Sequence, residues 1–168
     1  LIAVGDRAYA DLWHFLGQVD LIATVRAERR AVRERLPWLL TNQRAARVGE
    51  VGDGLFVLLL DAARALATRT YEGSDRLVLD VVPPPAAPEL GPGRLELDAT
   101  PDGAACRPTR RSPDLTVPLA ALGAACLGGV PLAWAADAYG GIDEHVRGSL
   151  ARADRLFRTI GDPWCSTF

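Results

Sequence analysis

The order of patterns along these 168 residues predicts an α+β fold in which a sheet is covered on one face by helices. Three observations carry that expectation. Apolar residues recur at helical spacing near both ends, at Tyr9, Leu12, Trp13 and Leu16 and again at Leu150, Ala153, Phe157 and Ile160. Short apolar or alternating runs bounded by Gly and Pro fill the middle, as strands do. The uncharged stretch 115–136 is divided by Pro118, Gly123, Gly128, Gly129 and Pro131, so it reads as two short buried helices and not as a membrane span.

Taken in order, Asp6 can cap the first helix and Gly17 can end it. Residues 20–25 read as a short strand. Five arginines between 26 and 35, interleaved with Glu28 and Glu34, read as a solvated, partly ion-paired face, with an anion-binding patch as the alternative. Pro37 opens a short apolar turn, and 49–54 is a glycine-rich junction. Residues 55–60 form a continuous apolar strand, and Asp61 caps a helix reaching about Thr70. A strand follows over 76–82, then a proline-rich loop over 83–92 that cannot continue a ladder. Residues 94–98 alternate cleanly, Pro101, Asp102 and Gly103 make a turn, and 104–107 return as the hairpin partner, leaving one polar sheet face. Helices over 119–127 and 132–139 begin at Pro118 and Pro131, and a last helix runs over 147–160.

Composition narrows the function classes. A hydrophobic fraction of 49% supports a real core, and a net charge of -2 argues against a general nucleic-acid binder or a polybasic membrane module. All 19 basic residues are Arg; Lys and Met are absent. A start at Leu1 reads as part of a longer polypeptide. Cys106, Cys126 and Cys165 show neither a disulfide framework nor zinc-ligand spacing, so no metal is expected and a reducing cytoplasm is the expected setting.

No nucleophile elbow, phosphate loop or dinucleotide fingerprint occurs, and the four serines stand in no fixed relation to a histidine. His14 and His145 read as structural or surface residues. Asp137, Asp143 and Glu144 either line a cavity near the two short helices or complement helix ends. A sheet under short helices either packs solidly or encloses a lipid-sized tunnel. The terminus stands out, because 161–168 ends on Phe168 with no polar tail. An apolar last residue suggests docking, and a docked Phe168 would carry its α-carboxylate inward to where a cation could be held; a cut chain or an aromatic plug is the alternative.

The ordered blocks WHFLGQVDL (13–21), LPWLL (36–40), DGLF (53–56) with Leu60 and Asp61, ALATRTY (65–71), PDL (113–115), Ala121 and Leu122 with LGG (127–129), ARADRLF (151–157), and Trp164 and Cys165 before Phe168 resemble the Eis (enhanced intracellular survival) family of acetyltransferases. The resemblance implies two acetyltransferase-like (GNAT) folds followed by a sterol-carrier-protein-like domain, assembled as a hexamer. It implies that residues 1–48 end the second, cofactor-free GNAT-like region and that 49–168 form the sterol-carrier-like domain. Acetyl-CoA would be bound by a first GNAT fold with no counterpart in this chain, which alone would then be inactive. Phe168 would supply its terminal carboxylate to the active site, with Trp164 and Thr167 beside the substrate, a small cationic amine of the aminoglycoside, polyamine or lysine-like type. The alternatives are a stand-alone sterol-carrier-like module that binds an apolar ligand without catalysis, and a region that mainly builds the oligomer. Departures from the family pattern are Phe56 and Leu58 in place of Trp and Arg, and Thr167 in place of an acidic group.

Overall fold

A computed structural model describes residues 2–52, 54–161 and 163. The chain divides into two compact units, one comprising the described residues up to Leu55 and the other Phe56–Pro163.

The first unit opens with helix α1, Asp6–Gly17. Gly5 occupies the N-cap with φ 93, a conformation suited to glycine, so Asp6 sits in the first turn and complements the helix dipole. Tyr9 is the buried residue of this helix. The strand expected over 20–25 does not form; the chain there is irregular, with Leu21 exposed at φ 61. A strand needs a neighbour to take its backbone groups, and the described part of this unit contains none. Pro37 stands in the first turn of the single-turn helix α2, Leu36–Leu39, and the Asn42 side chain caps the 3-10 turn Gln43–Ala45.

The second unit carries the sheet. Helix α3, Ala62–Thr68, starts at Asp61, whose side chain accepts the Arg64 N–H as expected. Strands β1 (Asp75–Val82), β2 (Gly93–Thr100) and β3 (Gly103–Pro108) form an antiparallel meander. Strand β4 (Leu115–Pro118) pairs parallel to β1, and the two-residue β5 (Asp143–Glu144) pairs with β4, giving the order β3-β2-β1-β4-β5. The register sets Leu77 opposite Leu97, and Leu79 opposite Leu95 on one side and Leu115 on the other. Side chains alternate across a strand, so these leucines share one face. Onto it pack Leu66, Leu119 and Leu122, Leu132, and Leu156 and Phe157, from α3, α4 (Leu119–Cys126), α5 (Leu132–Tyr139) and α6 (Ser149–Phe157) respectively. The opposite face pairs Arg76 with Asp98 and Asp80 with Arg94.

Residues 55–60 depart from the expected strand. They are extended without a ladder: Val57 and Leu59 pack into the core, while Phe56, Leu58 and Leu60 are 85%, 59% and 74% exposed. The inward side rests on α4, where a Cβ at Gly123 would come within 2.8 Å of the Val57 carbonyl oxygen. A helix face offers packing but no free backbone groups, so extension here follows from burial alone.

The last helix ends earlier than its apolar spacing suggests. It stops at Phe157, and Ile160 is 88% exposed. The Arg69 guanidinium donates to the carbonyls of Leu156 and Phe157 and stacks on the Tyr71 and Phe157 rings, taking up carbonyls that another helical turn would have used. Helix α6 also caps α5, because Asp154 accepts the Leu132 N–H at 2.6 Å. Asp114 ties the sheet to this corner: its carboxylate accepts the Val78 N–H at 2.7 Å, and its carbonyl accepts the His145 N–H at 2.9 Å and the buried Ser149 hydroxyl at 2.9 Å.

Arg152 on α6 grips the start of β1 by donating to Asp75 at 3.0 Å through Nε and again through Nη2. That guanidinium, with the Arg76 N–H assisting and burial opposing, holds the Asp75 carboxyl below its usual range. A carboxyl whose folded pKa is depressed stabilises fully above its unfolded pKa of about 3.9, and that contribution disappears as pH falls through the folded value. Asp75→Asn is expected to lower stability near neutrality and to flatten the acid limb below about pH 4. Urea melts at pH 7 and pH 3 check this; an unchanged acid slope would show the pair to be inert.

Candidate functional site

Phe168, Trp164 and Thr167, the residues to which the sequence assigns a terminal carboxylate and substrate contacts, lie outside the described residues, as does Cys165. The other candidates do not converge. His14 is exposed on α1 beside Gln18, and the His145 Nε2 lies 2.8 Å from the Thr116 hydroxyl on an exposed edge. Asp137 and Asp143 are exposed, and Glu144 caps α6 by accepting the Leu150 N–H at 3.1 Å. These carboxylates therefore act as helix-end and surface groups.

In the first unit the arginine-rich stretch is tied into an ion-paired cluster. The Tyr9 hydroxyl donates to Glu34, which also accepts from Arg30 Nε at 2.6 Å and from the Arg35 N–H at 2.7 Å. The Arg30 and Arg35 guanidiniums lie 5.6 and 5.2 Å from the Tyr9 ring centre, and Arg35 pairs with Asp6. Burial, reinforced by Glu34, pushes the Tyr9 phenol up. Burial also pushes the Glu34 carboxyl up, but donation from Tyr9, Arg30 and Arg35 outweighs it and the net shift is down. A phenol kept protonated and a carboxylate kept charged make a latch, not an acid–base pair poised near neutrality. An indented surface of about 350 Å³ beside it is lined by Asp6, Tyr9, Arg35, Trp38 and Leu39.

The second unit has a cleft of about 460 Å³ on the charged face of the sheet, lined by Arg76, Val78, Arg111, Ser112, Asp114 and Arg152. Its arginines come from β1, the loop before β4, and α6. Sequence inspection missed both groupings, since neither the Tyr9–Glu34 bond nor the Arg76–Asp98 register leaves a local motif.

Cys106 and Cys126 are free thiols. Burial raises both, Cys106 to about 11, so neither is a ready nucleophile. Among the described residues no three potential ligands gather around a metal position. Among the described residues no helix is long and apolar enough to cross a membrane. Leu66, Leu77, Leu79, Leu95, Leu97 and Leu122 are fully buried between the sheet and the helices.

A pyrophosphate-bearing cofactor needs free backbone donors at a helix N-terminus. Here Asp6 lies in the first turn of α1, while Asp61, Asp154 and Glu144 already accept from the starts of α3, α5 and α6, and Pro118 heads α4. The starts of α1 and α4 carry no side-chain cap.

Comparison with known proteins agrees with this architecture. Residues 1–68 match the family described as Acetyltransferase (GNAT) domain, and residues 62–166 match Sterol carrier protein domain. An uncharacterized N-acetyltransferase of Streptomyces avermitilis is 44% identical over 98% of this chain and 38% of its own length. Another, from Streptomyces griseus, is 39% identical over 98% of this chain and 39% of its own. The crystal structure of Eis1 from Mycobacterium abscessus superposes with a TM-score of 0.83 at 30% identity, covering 99% of this chain and 41% of that one. The chain thus spans about two fifths of the length of these relatives. Helices on one face of the five-stranded sheet, together with the match over residues 62–166, place this protein in the sterol carrier protein domain family, preceded by 68 residues that match the GNAT acetyltransferase domain.

Proposed function

We propose that this chain is the C-terminal part of an acetyl-CoA-dependent amine N-acetyltransferase acting on a small cationic amine of the aminoglycoside, polyamine or lysine-like type. One observation carries the reading: a single continuous chain matches acetyltransferase and carrier-domain sequence in succession while filling only 41% of the Eis1 fold. In this proposal residues 1–48 end a second GNAT-like region and 49–168 form the sterol-carrier-like domain. Phe168 supplies a terminal carboxylate that anchors the ammonium, with Trp164 and Thr167 flanking the substrate. Acetyl-CoA is held by polypeptide outside this chain, a view supported by the chain's covering only about two fifths of its relatives' length. The full protein assembles as a homo-oligomer, a hexamer by resemblance, in the cytoplasm. The alternative is a stand-alone sterol-carrier-like module that binds an apolar ligand without catalysis.

The test is calorimetry with acetyl-CoA beside an acetylation assay on spermidine and an aminoglycoside. The full-length protein is expected to bind the cofactor and acetylate at least one amine, and the 168-residue chain to do neither. Micromolar binding of acetyl-CoA to the chain alone would overturn the placement of the cofactor.

A further inference from the structure

We propose that the cleft on the charged face of the sheet is a binding site for a small phosphate-bearing ligand, held by Arg76, Arg111, Arg152 and the Ser112 hydroxyl. Three guanidiniums and one carboxylate, Asp114, line it, and Glu96, Asp98 and Asp75 pair with the guanidiniums from outside the lining. Asp114 is partly spent, since it accepts the Val78 N–H.

The arginines are held but not exhausted. Each guanidinium has five N–H donors in a planar fork. Arg76 uses Nε and Nη2 on Asp98. Arg152 uses Nε and Nη2 on Asp75 and the Arg76 carbonyl, and Arg111 uses Nη1 on Glu96 at 2.9 Å. Among the described residues, Nη1 of Arg76, Nη1 of Arg152, and Nε and Nη2 of Arg111 make no hydrogen bond. The acids that orient the forks, Asp75, Glu96 and Asp98, do not line the cleft. They pin flexible side chains beforehand, which lowers the entropy a ligand would otherwise have to overcome.

The geometry favours phosphate over carboxylate. One fork satisfies a planar carboxylate, whereas forks arriving from a strand, a loop and a helix suit a tetrahedral group with three or more acceptor oxygens.

Titration of the 168-residue chain with inorganic pyrophosphate at low ionic strength, followed by calorimetry, tests the site. Saturable binding is expected, weakening as salt is raised. Arg111→Gln should weaken it about tenfold or more, from loss of charge-assisted hydrogen bonds. Arg111 is exposed and has one partner, so this variant should keep the parent melting temperature. Arg76→Gln should act in the same direction, and Arg44→Gln, outside the cleft, should leave binding unchanged. Lack of saturable binding, an Arg111→Gln affinity within twofold of the parent, or equal binding of acetate would each overturn the proposal.

Discussion

Extending the full-length acetyltransferase by a few residues beyond Phe168 is expected to cost at least ~100-fold in kcat/KM, because displacement of a catalytic group by even ~1 Å can cost that much. The expectation rests on the proposed role of the terminal carboxylate, and deletion of Phe168 should be at least as damaging. An α-carboxyl near pKa ~3.5 is a weak base for an ammonium near ~10. Burial would raise it and the cationic substrate would lower it again, so it serves best as an anchor and a water-relayed acceptor. The two variants separate chemistry from packing. The extension retains the ring, whereas the deletion removes an aromatic side chain, a loss worth roughly 1.5–3 kcal/mol wherever such a ring is buried. An extended enzyme that keeps kcat/KM within about threefold would reduce the terminus to a packing element.

Leu97→Ala should be the most damaging single change to the carrier-like unit. Leu97 is fully buried at the centre of β2, with Leu77 and Cys106 opposite it on the flanking strands. Truncating such a leucine costs about 2–5 kcal/mol, a large share of the roughly 5–15 kcal/mol that holds a domain together. The melting temperature should drop by roughly 10 °C or more. Ile160→Ala, past the end of α6, should stay within about 0.5 kcal/mol. Thermal melts of both decide the matter: a Leu97→Ala loss under about 1 kcal/mol would mean that the core has relaxed around the gap.

What could be read from the chain was whatever nearby residues decide. The hairpin over 93–108 declared itself because a Pro-Asp-Gly turn separates alternating runs, and α4 and α5 because a proline opens each. Strand β4 was hidden at the edge of an uncharged stretch, four residues long and defined only by its pairing with β1. The strand expected over 20–25 failed for the converse reason, an apolar pattern without a partner to receive its backbone groups. The early end of α6 was set from outside by Arg69, far away in sequence. Site residues followed the same division. Phe168 stands out by its apolar end position and Trp164 and Thr167 only through the family resemblance, while the arginine cleft arises only when β1, the loop before β4 and α6 are brought together.

The extended segment 55–60 also bears on how the molecule behaves in bulk. Phe56, Leu58 and Leu60 are exposed on its outer side while Val57 and Leu59 pack inward. The run LFVLLL holds neither charge nor proline, a composition that favours stacking of identical copies into cross-β assemblies. Nothing in it acts as a gatekeeper; the nearest charge is Asp61, already engaged at the start of α3. The row of Phe56, Leu58 and Leu60 is exposed among the described residues, so it gives any fragment that presents it a built-in route to precipitation.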